Sequence, residues 1–250
     1  MKALITGASS GIGRDMARVL AKKGWDLILV ARREDRLFAL KKELANVHVR
    51  CIGADISTKE GCIELYNDTK GEEIDMLINN AGFGVCGTFL KNDLEEELRM
   101  IGTNVIAVHI LTKLFVRDFE KRGSGILLNT ASFAGFMAGP MLTSYYATKS
   151  YVVRLTQALY EELRHTGSSV RVSVLCPGPV KTEFDKVAHV KFSLKGLNSY
   201  AVAQYAIEKA INGKLMIIPG VQMKLAKFFL RFVSEKTMLK ISYRQQKRKI

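Results

Sequence analysis

Cysteine is scarce in this chain of 250 residues, and its four cysteines, Cys51, Cys62, Cys86 and Cys176, are scattered. None forms Cys-x-x-Cys and none stands beside a histidine at ligand spacing, so a zinc site is not expected. Cys51 and Cys176 lie in strand-like apolar runs and read as buried, inert thiols. Histidine is equally thin: His48, His109, His165 and His189 are dispersed, and none recommends itself as a catalytic group. No stretch approaches the ~20 apolar residues of a membrane span. A cleavable leader pattern is also missing. Met1-Lys2 runs directly into Ala3-Leu4-Ile5 and Thr6-Gly7, with no room for an apolar core and a small-residue cleavage site. A cytoplasmic location is the expectation. Acid is short relative to base: the formal net charge is +14. From Lys214 onward ten basic residues face one acid, Glu235. Such a tail suits nucleic acid, an anionic membrane surface or an acidic carrier. No base-reading motif accompanies it, so nucleic acid is not the expected partner.

Apolar residues make up 48% of the chain and charged residues 25%, enough for one α/β domain with a sizeable core. Strand-like runs at Ala3–Ile5, Asp26–Ala31, Val47–Ile52, Met76–Ile78, Gly125–Thr130, Val170–Cys176 and Leu215–Ile218 alternate with helical patterns. The helices are expected after Gly13, over Glu34–Leu44, after Ser57 or Thr58 as cap, and over Leu94–Lys121, Ser144–His165 and Ala201–Ile211. This alternation predicts βαβ units: a doubly wound, Rossmann-type parallel sheet of seven strands with helices on both faces. Residues 1–220 form the domain, and 221–250 a basic amphipathic helical extension of it.

Thr6-Gly7-Ala8-Ser9-Ser10-Gly11-Ile12-Gly13 follows a strand and opens a helix. Glycines there allow positive φ and close approach of backbone to ligand. Free N–H groups and the positive dipole end of the helix suit a pyrophosphate. This is the physics of a dinucleotide site, although the spacing is Gly-x-x-x-Gly-x-Gly. At the end of the second strand, where an acid would bind the ribose 2′-hydroxyl of NAD, stand Ala31, Arg32 and Arg33. Guanidinium groups make bidentate, charge-assisted bonds to phosphate, so the pair points to NADP(H) rather than NAD. A plain glycine-rich loop followed by a solvated charge pair is the bland alternative.

Tyr145 and Lys149 are spaced i and i+4 inside a helix, on one face. A phenol of pKa ~10 is a poor proton shuttle at neutral pH, but a neighbouring ammonium favours the phenolate. The same spacing also arises on ordinary helix surfaces. Ser132 ends the fifth strand, where open parallel sheets bind ligands. Its hydroxyl could hold a substrate oxygen or merely cap a turn. Asn104 falls inside the long helix, as an exposed polar residue or as part of a site.

Thr6-Gly7-x-x-x-Gly11-x-Gly13, Asp55-Ile56, Asn79-Asn80-Ala81-Gly82, Asn104, Ser132, Tyr145-x-x-x-Lys149 and Pro177-Gly178-Pro179-Val180-Lys181-Thr182 occur in this order. Over residues 1 to 220 the set resembles the short-chain dehydrogenase/reductase family. The resemblance implies an oxidoreductase that moves a hydride between NADP(H) and a carbonyl or secondary alcohol. Asn104, Ser132, Tyr145 and Lys149 would be its catalytic tetrad. Tyr145 would donate the proton, Ser132 would hold the carbonyl oxygen, and Lys149 would depress the Tyr145 pKa and bind the nicotinamide ribose. Asn104 would hold a water in a relay to Lys149. Cofactor contacts would come from Gly7, Ser9, Ser10, Gly11, Ile12 and Gly13. Arg32, Arg33, Asp55, Ile56, Asn80, Ala81 and Gly82 would add to them, with Tyr145, Lys149, Pro177, Gly178, Val180 and Thr182. A non-catalytic NADPH sensor or scaffold is the alternative, against which the intact tetrad argues.

The resemblance places a variable substrate loop between Thr182 and Ser199. It carries Phe184, Val187, Val190, Phe192 and Leu194 among Lys181, Lys186, Lys191 and Lys195. Phe133, Phe136, Met137 and Leu142 flank Ser132 and Tyr145. An apolar pocket with a basic rim suits a hydrophobic ketone or alcohol: a 3-oxoacyl thioester, a steroid or bile acid, or a xenobiotic ketone. Tyr146 is expected to face the core or that pocket. A homo-oligomer, dimer or tetramer, is expected. The tail is expected to pack on the domain or a partner subunit, with peripheral membrane contact as the other reading.

Overall fold

The computed structural model describes residues 1–184 and 196–247. Seven parallel strands form one sheet: β1 (Lys2–Thr6), β2 (Asp26–Ala31), β3 (Val49–Gly53), β4 (Met76–Asn79), β5 (Ile126–Thr130), β6 (Arg171–Leu175) and β7 (Met216–Ile217). Their order is β3-β2-β1-β4-β5-β6-β7. The chain reverses its winding between β1 and β4, and open sheets of this kind bind ligands in the crevice at that point.

Helices cover both faces: α1 (Gly11–Lys22), α2 (Glu34–Glu43), α3 (Lys59–Thr69), α4 (Leu94–Ile101), α5 (Ala107–Arg122), α6 (Thr143–His165) and α7 (Ser199–Ile211). Strand residues alternate between two apolar layers, as a pleated strand requires. Ala3, Ile5, Leu27, Leu29 and Ile78 pack with Met16 and Leu20 of α1 and Ala203 and Ile207 of α7. Leu4, Ile28, Leu77 and Leu127 pack with Leu65 of α3 and Leu111 and Phe115 of α5. Truncating one of these leucines to alanine costs about 2–5 kcal/mol.

Sequence boundaries hold to within a few residues. Thr58 rather than Ser57 caps α3, its hydroxyl accepting from the Gly61 N–H at 3.1 Å. Gly24 follows α1 with φ +75°. Cys176 is buried as expected, whereas Cys51 is only half-buried because β3 is an edge strand. The segment Leu94–Arg122 is long and apolar enough to cross a bilayer by length and composition, against the expectation of no such run. Half of its most apolar window is buried inside the domain. The expected single helix here is interrupted by a wider π turn at Gly102–Ile106. π turns mark functional sites in many helices, and this one holds Asn104.

A buried polar ladder fixes α6 against the sheet. Asn79 Nδ2 donates to Asn129 Oδ1 at 2.9 Å, and Asn129 Nδ2 donates to Thr156 Oγ1 at 3.0 Å. Asn129 and Thr156 are fully buried. Bonds of this kind in a dry interior hold one register of helix on sheet, because a slip leaves both amides unpaired.

The extension is two helices, α8 (Val221–Phe229) and α9 (Glu235–Lys247), joined through a short 3₁₀ turn at Leu230–Phe232. Val187, Val190, Phe192, Leu194, Lys186, Lys191 and Lys195 of the expected substrate loop lie outside the described residues, as do Arg248 and Lys249.

Candidate active site

A single cleft of about 620 Å³ runs along the carboxyl ends of the strands, from the glycine turn to the C-terminal helices. Three stretches build its first half. The turn after β1 is held by Asn80, whose Nδ2 donates to the carbonyls of Thr6 at 3.2 Å and Gly7 at 3.4 Å. Thr6 Oγ1 accepts the N–H groups of Asn80 and Ala81 at 3.0 and 3.1 Å. The glycines are needed for closeness. A Cβ on Gly7, whose φ is +68°, would lie 2.7 Å from Ala81 Cα, and one on Gly13 would lie 2.6 Å from the Gly7 carbonyl oxygen. Gly7, Ser9, Ser10, Gly11 and Ile12 line the cleft; Gly13 packs behind them. No side chain caps α1 and its first turn has no acid, so its leading N–H groups face the cleft unneutralised. This is a fitting cradle for a dinucleotide pyrophosphate.

At the β2 and β3 ends stand Arg32, Arg33, Asp55 and Ile56. Burial opposes ionisation of Asp55. Bonds from the Ser57 backbone and side chain, and the charges of Arg32 and Arg99, outweigh it and hold the carboxyl below its usual range. Arg33 reaches back to the turn, donating to Ser9 Oγ at 3.2 Å and Ser10 Oγ at 3.1 Å. It also pairs with Glu183 at 3.3 Å, and Arg36 pairs with the same carboxylate at 2.8 Å. Arg36 and Glu183 were not singled out from the sequence. Their meeting depends on β2 and the segment after β6 converging, which no local pattern announces.

The second half holds the tetrad residues. Ser132 begins the short turn after β5; its Oγ accepts from the Ala134 N–H at 3.2 Å and donates to the Pro177 carbonyl at 3.5 Å, and it lines the cleft together with Tyr145. Lys149 lies one turn along α6 with its Nζ 5.8 Å from the Tyr145 ring centre, donating to the Thr130 carbonyl at 3.1 Å. Asn104 is fully buried behind the cleft, not exposed. Its Oδ1 accepts from the Phe83 N–H at 3.1 Å; its Nδ2 donates to the Phe83 carbonyl at 2.9 Å and to Thr148 Oγ1 at 3.1 Å. A Cβ on Gly82 would lie 2.9 Å from Asn104 Oδ1 and 3.2 Å from Lys149 Nζ, so the backbone there runs close against both groups. Asn80, Ala81 and Gly82 complete this wall, with Pro177, Gly178, Val180 and Thr182 opposite. Among the described residues, the positions named from the sequence as tetrad and cofactor contacts line this cleft, except Gly13 and Asn104, which stand behind its wall.

The electrostatics differ in one respect from the expectation of a phenol depressed by Lys149. Desolvation dominates both groups. It pushes the Tyr145 phenol well above its ordinary value, against a smaller lowering by the Ser132 hydroxyl. It pulls the Lys149 ammonium down to about 8.

Beyond Tyr145 the wall is apolar: Phe83, Phe133, Met137, Leu142 and Phe184. Phe184 lies 5.4 Å from Tyr145, centre to centre. The roof comes from the extension. Met223 and Ala226 of α8 and Ser242 and Gln245 of α9 line the cleft. Gln246 Nε2 donates to Tyr146 Oη at 2.6 Å. Tyr146 thus both faces the cleft and ties down α9. These roof residues were invisible to motif reading, since only the path of the chain brings them there.

A parallel sheet with a dinucleotide cradle and a phenol–hydroxyl–ammonium cluster at its carboxyl edge defines a nicotinamide-linked oxidoreductase of carbonyl and alcohol groups. Residues 1–191 match the model of the short chain dehydrogenase family, and the chain belongs to that family. It is 33% identical to the very-long-chain 3-oxoacyl-CoA reductase of Mus musculus over 192 residues, 74% of this chain and 61% of that longer protein. Among solved structures it resembles a short-chain dehydrogenase from Sphingobium yanoikuyae in complex with NADPH (30% identity, TM-score 0.84, covering 95% of this chain and 94% of that one). It also resembles a short chain dehydrogenase/reductase from Burkholderia phymatum in complex with NAD (25% identity, TM-score 0.84, covering 92% of each chain).

Proposed function

We propose that this protein is an NADPH-dependent reductase of hydrophobic ketones, with Tyr145, Ser132, Lys149 and Asn104 as its working groups. The observation that carries the reading is the meeting of the Tyr145 phenol, the Ser132 hydroxyl and the buried Lys149 ammonium in one cleft with the glycine turn. The bound nicotinamide supplies the hydride. Ser132 holds the substrate oxygen and opposes its growing negative charge. Tyr145, held protonated by burial, gives that oxygen its proton, which favours the reductive direction. Lys149 contributes positive charge beside the phenol, and Asn104 fixes the wall from which Lys149 projects.

Preference for NADPH rests on Arg33. It lies between the two serines of the turn and a carboxylate, an arrangement that holds one anion and suits a 2′-phosphate in its place. The pairing of Tyr146 with Gln246 and the apolar wall favour a substrate with a long apolar body. A 3-oxoacyl thioester of the kind named for the mouse relative has such a body, and so does a steroid-sized ketone. A panel of 3-oxoacyl thioesters, steroid ketones and aromatic ketones, followed by NADPH absorbance, tests this. Turnover of at least one apolar class is expected. NADPH binding without turnover of any member would leave a sensor instead.

A further inference from the structure

The outer face of α8 is apolar and exposed. Val221, Leu225, Phe228 and Phe232 recur at i, i+4, i+7 and i+11, one stripe of a helix. They are between 52% and 72% exposed. Phe229 adds to the stripe, and the rings of Phe228 and Phe232 stand 5.4 Å apart. Packing fixes which way the stripe points. On the opposite side Met223 lies against Gly178, and Ala226 lines the cleft. Lys227 sits over the Phe136 ring at 4.7 Å and Lys224 over Tyr205 at 5.5 Å. The helix is anchored by its inner face, so its apolar stripe stays in solvent.

The charge beside the stripe selects the partner. Residues 221–247 carry seven basic side chains, Lys224, Lys227, Arg231, Lys236, Lys240, Arg244 and Lys247, against Glu235 alone. Arg231 stands between Phe229 and Phe232 in the 3₁₀ turn and is exposed. Lys236, Lys240, Arg244 and Lys247 recur at i, i+4, i+8 and i+11 on α9, all exposed. Protein interfaces are depleted in lysine at their centres. A symmetric contact with a second copy would also set two strongly basic surfaces against each other. An anionic bilayer accepts both features, burying the rings at the headgroup level while the long basic stems reach its phosphates.

We infer that α8, the turn at Leu230–Phe232 and α9 form a docking surface for an anionic lipid bilayer. The same two helices roof the cleft, so docking sets the cleft mouth beside the membrane. This does not depend on which carbonyl compound is reduced. The test is co-sedimentation of the full chain with vesicles of phosphatidylcholine alone or with phosphatidylserine added. Binding is expected on the anionic vesicles, at least about fivefold above the neutral ones, and is expected to weaken in high salt. Phe228→Ser/Phe232→Ser and, separately, Lys236→Gln/Lys240→Gln are each expected to lower it about tenfold, with circular dichroism and NADPH affinity unchanged. Absence of binding to anionic vesicles, or binding that survives both double variants, overturns the inference. So does a light-scattering mass of two copies that Phe228→Ser/Phe232→Ser reduces to one, since the stripe would then be covered by another copy.

Discussion

Glu183 gives the sharpest handle on cofactor choice. Its carboxylate lies on Arg36 at 2.8 Å and on Arg33 at 3.3 Å, where Arg33 also holds Ser9 and Ser10. In the proposed reading this is the place of the 2′-phosphate, so Glu183 competes for Arg33 and repels the incoming charge. The substitution Glu183→Gln keeps the size and removes the charge. The three side chains are 40–44% exposed, so each ion pair is worth only about 0.2–1 kcal/mol. Repulsion between a carboxylate and a phosphate at this exposure adds about 1 kcal/mol. Together these give about 1–2 kcal/mol, or NADPH binding tighter by roughly 5- to 30-fold. NADH lacks the phosphate and should bind within about twofold of its wild-type affinity by the same reckoning. Isothermal titration calorimetry with each cofactor reads both numbers. Equal changes for NADPH and NADH, or weaker NADPH binding, would refute the reasoning.

The remaining predictions concern the second half of the cleft. Arg33→Gln should weaken NADPH by about 10- to 100-fold and leave NADH nearly untouched, checked by the same titrations. The rate of carbonyl reduction should be flat below pH ~8 and fall above it, because burial brings the Lys149 pKa down to about 8 and its ammonium is lost as pH rises through that value. Lys149→Met should abolish reduction yet stabilise the fold at pH 7. There the folded chain holds a buried ammonium that the unfolded chain solvates, a cost fully present below about 8 and relieved as pH climbs toward the unfolded pKa near ~10.4. Against the lost bond to the Thr130 carbonyl, the net gain is about 1–3 kcal/mol, seen as a melting temperature several degrees higher; a lower one would count against a charged Lys149. Gln246→Leu frees Tyr146 and loosens α9, so KM for a bulky ketone should rise about 3- to 10-fold with kcat unchanged. A fall in kcat alone would argue that the roof has a different role.

The sheet was legible because its strands are continuous apolar runs and their intervening helices are periodic, so period and length distinguish them without tertiary information. The glycine turn and the Tyr145–Lys149 pair were legible for a related reason: each is a local geometry that short sequence spacing encodes. Asn104 was harder. Its burial comes from a π turn, one extra residue in a helix, which hydropathy periodicity does not register. The Arg33–Glu183–Arg36 cluster and the Ser242–Gln245–Gln246 roof join residues far apart in the chain. Their chemistry is ordinary until the fold brings them together. The sequence reading of Lys149 as a depressor of Tyr145 also missed desolvation, which depends on depth and not on which residue is one turn away.

Tyr145→Phe tests the central claim most directly, measured as NADPH oxidation on a ketone found in the panel alongside NADPH affinity. The account predicts a fall in kcat of about 10²–10⁴ with NADPH binding unchanged, since only the proton donor is lost. Turnover near the wild-type rate would place the proton source elsewhere and contradict it.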